Sequence, residues 1–265
     1  MIPPVIVGSG YKYFTDCTTY NSGSYLTSIQ VIFTPSAGYT FQEGDVAVVA
    51  VTAGSYPTQL GWTQLVNGAN IDIWAKRLFN NSDNFDSPWT NTNHGNDSYN
   101  NGYTLFVSGI AGFAYRSPYS KYGSISDSLY YLSNENLSSA VGNSSTVTIP
   151  AVSRPSFDDD DFYYRIDAFY LRESWGSYYD FNFNWPGSPT SLGGTGVFTS
   201  SCANTEAFLY TPPSYCGVIM WPSKYLSGTQ WSVSPQTVTG SNTLYLSTIT
   251  MWVRGWNPTQ SGVML

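Results

Sequence analysis

The sequence predicts an all-β chain: an antiparallel two-sheet β-sandwich, jelly-roll-like, with long loops and little helix. Three observations predict it. Many short segments are either apolar or alternate apolar with polar residues, and Gly, Pro, Asn and Ser separate them. Aromatic residues make up 17% of the chain and charged residues only 10%, against about 25% charged in a typical soluble domain. Only Ser126 to Leu137 spaces its apolar residues as a helix would, which is too little to build the crossovers of a parallel sheet. With 265 residues the chain can bury a sizeable core without disulfide staples. The expected organisation is a single domain over 1–265, with an N-terminal arm over about 1–25 and a C-terminal tail over about 255–265.

The stretch Gly44 to Phe79 organises the rest. Val46-Ala47-Val48-Val49-Ala50-Val51 is a β-branched run too short for a membrane span, and it reads as a strand buried on both faces. A turn is expected over Thr52 to Pro57. Gly61 to Leu65 and the alternating Ile71 to Phe79 follow as strands. In the latter, Ile71, Ile73 and Ala75 face inward, and Asp72, Trp74 and Lys76 are expected on a half-exposed face. Upstream, two prolines and Gly8-Ser9-Gly10 argue for an arm or edge strand before a strand at Leu26 to Phe33. Downstream, Asn80 to Asn101 reads as a long polar loop and Arg116 to Gly123 as a second loop. Ser126 to Leu137 is expected to hold one or two helical turns. Tyr103–Tyr115, Ser145–Pro150, Phe162–Arg172, Tyr178–Trp185, Gly217–Trp221, Trp231–Val238 and Thr248–Arg254 read as further strands, and Gly187 to Gly196 as a flexible loop. The halves echo each other loosely, the Ile71–Phe79 type of strand recurring at Phe162–Arg172.

Composition excludes some functions. The net charge is −7, and the ten basic residues are scattered. Binding a phosphate backbone needs a clustered basic surface, so nucleic acid is excluded as a partner, as is attachment to anionic membranes. No apolar run approaches a membrane span, so no membrane insertion is expected. Met1 to Val7 lacks the basic start and apolar length of a secretion signal. Of three cysteines, Cys202 and Cys216 could pair, but an odd count favours reduced, buried thiols.

Candidate chemistry is sparse. The one histidine, His94, has Asp97 and Ser98 nearby, but adjacency on a loop is not the geometry of a catalytic triad. Among four glutamates, Glu173 with Glu206 is the best pair for glycoside hydrolysis, and a solvated Glu173 at a strand end is the stronger reading. Asp158 to Asp161 could hold calcium, yet consecutive residues of an extended chain point to opposite sides and no calcium-loop glycine follows. The spacing of Cys and His does not suit zinc, and Gly193 to Gly196 lacks the lysine of a phosphate loop. We therefore expect no catalytic residue, no metal and no cofactor. What remains is aromatic surface: Trp89, Tyr99, Tyr178, Tyr179 and Trp185 are the candidate contacts for a glycan or a partner protein.

Gly44-Asp45 before an apolar strand, then Pro57, Gly61-Trp62-Thr63 and Ile73-Trp74-Ala75-Lys76, resembles a β-sandwich module of bacteriophage virion structural proteins, of the capsid-decoration and tail-fibre types. Tyr103–Tyr115 and Thr248–Arg254 resemble later strands of that module, and the long loops at 80–101 and 116–144 depart from it. The resemblance implies a non-enzymatic virion protein, assembled in the host cytoplasm and placed at the particle surface as decoration (cement) or tail appendage. Its partners would be other virion proteins and copies of itself, in a symmetric assembly such as a trimer. The alternatives are a carbohydrate-binding adhesin module that meets a cell-surface glycan, and a polysaccharide hydrolase.

Overall fold

A computed structural model of the chain describes residues 3–13, 28–58, 61–91, 109–117, 123–141, 146–153, 163–174, 181–187, 189–193, 214–221, 229–235 and 243–255. The fold is all-β and sandwich-like. In the first half β1 (Val5–Tyr13), β3 (Phe33–Pro35), β4 (Val46–Thr52), β6 (Trp62–Asn67), β7 (Ile71–Arg77) and β9 (Gly109–Arg116) form one sheet, in the order β3-β1-β9-β4-β7-β6. A smaller sheet, β2-β8-β5, joins β2 (Ser28–Val31), β8 (Ser87–Asn91) and β5 (Ser55–Pro57).

The second half opens with α1 (Ile125–Ser128), a single turn. Its large sheet runs β10-β18-β13-β16-β15, from β10 (Leu129–Tyr131), β18 (Thr243–Arg254), β13 (Tyr163–Ser174), β16 (Ser214–Trp221) and β15 (Thr190–Gly193), with β11 (Asn136–Val141) also paired to β18. The small sheet is β12-β17-β14, from β12 (Val147–Val152), β17 (Thr229–Pro235) and β14 (Phe181–Asn184). The recorded pairings are antiparallel.

These two sheet orders repeat one connectivity. With β10 and β11 together taking the place of β1, the order β1-β9-β4-β7-β6 becomes β10/β11-β18-β13-β16-β15, and β2-β8-β5 becomes β12-β17-β14. Among the described strands, only β3 has no counterpart. In each half the first and last strands lie side by side and a three-stranded sheet faces the large one, which is jelly-roll connectivity with the sixth strand kept on the large sheet. The loose echo expected between the halves is thus a repeat of connectivity, but with different partners: β4 matches β13, and β7 matches β16.

Burial explains the layering. On β4, Val46, Val48 and Ala50 join a central core with Ile166, Ala168, Tyr170, Val218, Ile249, Met251 and Val253 from the other half. Ala47, Val49 and Val51 enter a second core with Val31 and Trp89 beneath the first small sheet. A third core, with Phe169, Leu171, Trp221, Trp231 and Val233, lies under the second small sheet. The layers therefore run small sheet, large sheet, large sheet, small sheet. Lying between two cores, β4 is apolar from Val46 through Val51, and each buried Val side chain contributes about 1.5–3 kcal/mol.

Several local expectations change. Residues 5–13 are not an arm: β1 lies between β3 and β9. Gly8 and Gly10 do not break it, because aromatic rings cover them. A Cβ on Gly8 would lie 2.6 Å from the Phe41 ring, and one on Gly10 would lie 2.9 Å from Phe33, its paired residue on β3. The polar stretch 80–101 contains β8, and 187–196 contains β15. The helical reading of 126–137 reduces to the one turn of α1, after which the chain pairs with β18 as β10 and β11. Asp72, expected half-exposed, is buried.

Candidate functional site

Of the five aromatic candidates, the structure describes two. Trp89 is 2% exposed on β8. Its ring meets Trp62 and Trp74 edge-on, at 5.3 and 6.0 Å between centroids. A glycan platform needs an open ring face, and the second core covers this one, so Trp89 is a packing residue. Trp185 is half-buried and stacks on Phe183 at 4.9 Å with rings 12° apart, against Trp231 and Trp221. Tyr99, Tyr178 and Tyr179 lie outside the described residues, as do His94, Glu206 and Asp158–Asp161. Glu173 stands on β13 opposite Leu244. The two described aromatic candidates, Trp89 and Trp185, belong to different cores.

The buried charges have structural partners. Asp167, on the β13 face that meets the third core, accepts from Trp221 Nε1 at 2.5 Å, Trp231 Nε1 at 3.2 Å and Thr250 Oγ1 at 2.7 Å. It also pairs with buried Arg165 at 3.0 Å, whose guanidinium lies over the Trp221 ring. A carboxylate with this many donors has its lone pairs occupied by the fold. Asp45 takes a two-pronged contact from Arg116, Nε at 2.7 Å and Nη2 at 2.9 Å, and caps Gln42 N–H. That hydrogen bond to Asp45 pushes the Arg116 pKa up. Asp72 accepts from Gly54 and Gly68 N–H at 3.0 and 3.2 Å. Burial pushes its carboxyl above the usual value, the two N–H groups hold it down in part, and Glu135 adds to the rise. Burial likewise lowers the Lys76 pKa. Among the described residues, no three His, Cys, Asp or Glu side chains gather as metal ligands.

The seam between the halves is polar at its edges. From the second half, Glu135 Oε2 accepts the backbone N–H of Ala69 and Asn70 in the β6–β7 turn, at 2.6 and 3.0 Å. The Asn70 side chain donates to Ser247 Oγ at 2.9 Å. At the far end Arg77 donates to Gly123 carbonyl, and Tyr115 O–H meets Ser128 Oγ at 2.8 Å.

Beside Asn70 the seam opens into a slot of about 170 Å³, lined by Asn70, Leu137, Ser138, Ser139, Tyr170, Tyr245, Leu246 and Ser247. It exists because β13 and β18 run for 12 residues each, while β4 and β7, which pack on them from the first half, have 7 each. The inner face of the second half therefore continues past the first half, and Tyr245 and Leu137 remain 38% and 61% exposed. None of the eight lining residues carries a charge at neutral pH.

The sequence did not point to this slot, because its residues come from four segments and form no local motif. The Arg165–Asp167 pair did leave a signal: opposite charges two apart share one strand face, which places an ion pair on a face that both neighbours bury. No protein-family model and no curated protein matches the chain.

Proposed function

We propose that this chain is a non-enzymatic structural protein of a bacteriophage virion, at the particle surface as a capsid decoration or tail-appendage component. The carrying observation is the pair of jelly-roll units placed back to back around one central core. Jelly rolls recur in viral capsid and lectin domains; that likeness is one of fold, so it supports a class of protein and not a partner. The module-like stretch Gly44 to Phe79, now β4 to β7 of the first unit, supports the same reading. Low charge and exposed aromatic side chains such as Tyr11, Tyr56 and Phe79 suit contacts between subunits better than steering of a charged substrate. Self-association, as a trimer for a symmetric appendage, follows from the same reading.

The test is location. Purified particles from the host that carries this reading frame are analysed by mass spectrometry and by immunogold imaging with an antibody to the chain, and the isolated protein by light scattering. Stoichiometric presence at the particle surface supports the reading. A monomer absent from every particle removes it.

A further inference from the structure

We propose that the seam slot beside Asn70 binds a single ring of a neutral saccharide. The lining supplies what such a ring needs. Tyr245, 38% exposed, offers amphipathic aromatic surface to its C–H face, and the buried Tyr170 also lines the slot. Asn70, Ser139 and Ser247 offer an amide and hydroxyls to its O–H groups. Tyr with Ser and Asn is the pairing of rigid contact area and adaptable hydrogen bonding found in recognition surfaces.

Size and charge narrow the class. The slot's volume of about 170 Å³ is below the roughly 300–1,000 Å³ of clefts that enclose a drug-sized ligand. One ring fits, and the rest of a glycan would leave over exposed Leu137. With no cation in the lining, nothing offers a carboxylate, sulfate or phosphate the charge-assisted bond it would need.

The polar groups are also held in place. Glu135 fixes the Asn70 backbone, and the Asn70 amide donates to Ser247, which directs the Ser247 hydroxyl proton to another acceptor. Groups fixed before binding cost less ordering entropy on association. The residues belong to both jelly-roll units, so the slot exists only when the two are packed together.

The experiment is saturation-transfer NMR with calorimetry on the full chain. The probes are the methyl glycosides of galactose, glucose and N-acetylglucosamine, with N-acetylneuraminic acid as the charged comparison. The expected result is saturable binding of at least one neutral glycoside in about the millimolar range, as one ring supports. Tyr245→Ala and the slot-filling Ser139→Trp each weaken it by about tenfold or more, while circular dichroism shows both variants folded. Absence of saturable binding by all three neutral glycosides overturns the proposal, as does preference for the charged sugar. Binding unchanged in the folded variants overturns it too. Particle location is read separately, so a virion protein with no sugar site and a sugar-binding protein absent from particles give different results.

Discussion

Glu135 and Asn70 are 65 residues apart in the chain, yet a carboxylate oxygen of the first accepts the backbone N–H of the second at 3.0 Å. The same oxygen takes Ala69 N–H at 2.6 Å. One side chain of the second jelly-roll unit thus holds a hairpin turn of the first. Two hydrogen bonds to a charged acceptor in a partly exposed site contribute about 1–3 kcal/mol together, after solvent screening. Glu135→Ala should lower the urea midpoint accordingly and speed amide hydrogen exchange at Ala69 and Asn70. Unchanged exchange at both amides would show that the turn does not depend on this contact.

Asp167 is the costlier residue to change. Asp167→Ala leaves Arg165 buried without its carboxylate and removes the acceptor of two indole N–H groups. Removing one partner of a buried pair costs about 3–5 kcal/mol. Asp167→Asn keeps the shape but turns two N–H donors toward other donors, so it should recover only part of the loss. Calorimetric unfolding of the three proteins would rank wild type above Asn and Asn above Ala. Equal melting temperatures for wild type and Asn would mean that the charge itself contributes nothing.

The cross-strand pairing of glycine with phenylalanine gives a third prediction. Gly217 on β16 is paired with Phe169 on β13, and a Cβ there would lie 2.5 Å from the Phe169 ring. Gly217→Ala should cost about 1–3 kcal/mol through overpacking. Phe169→Leu frees the space, so the double variant should be more stable than the sum of the singles implies. Additive losses in a double-mutant cycle would rule out a steric origin.

What the sequence made legible was whatever depended on local pattern. β4 reads as buried on both faces because every position from Val46 to Val51 is apolar, and the structure covers both of its faces. Strict alternation over Phe162–Arg172 puts Ile166, Ala168 and Tyr170 on one face, and all three enter the central core. Illegible were features set by what lies opposite. Asp72 sits at a position where alternation expects solvent, but the turns at Gly54 and Gly68 close over it. Gly8-Ser9-Gly10 looks like a breaker until Phe33 and Phe41 are placed above it. The slot residues, spread from 70 to 247, meet only after the two units pack.

Trp89 shows why a polar neighbourhood misleads. It follows Pro88 in an Asn- and Ser-rich stretch, yet β8 pairs with both β2 and β5 and turns the indole into the second core. Trp89→Ala should therefore cost about 3–5 kcal/mol, as large core truncations do. Denaturant titration checks this. A variant as stable as wild type would return Trp89 to the list of surface contacts.

Asp72 gives the fold a pH dependence of known sign. Burial raises its folded-state pKa above the ordinary 3.8, with Glu135 adding to the rise. The folded state therefore binds this proton more tightly than the unfolded chain does. The stabilisation that follows is fully present below about 3.8, the unfolded value. It is lost as pH rises through the folded midpoint, leaving the ionised, desolvated carboxylate at neutral pH. Asp72→Asn cannot titrate, so the stability of the variant relative to wild type should rise with pH across that window and then level off. Its absolute offset also contains a changed hydrogen bond to Gly54 or Gly68, which is why the slope and not the offset is diagnostic. Urea unfolding of both proteins at several pH values between acid and neutral, with the carboxyl carbon of Asp72 followed by NMR, measures slope and midpoint together. A difference independent of pH, or a midpoint at or below the ordinary value, would mean that Asp72 is better solvated in solution than its burial beneath the two turns implies.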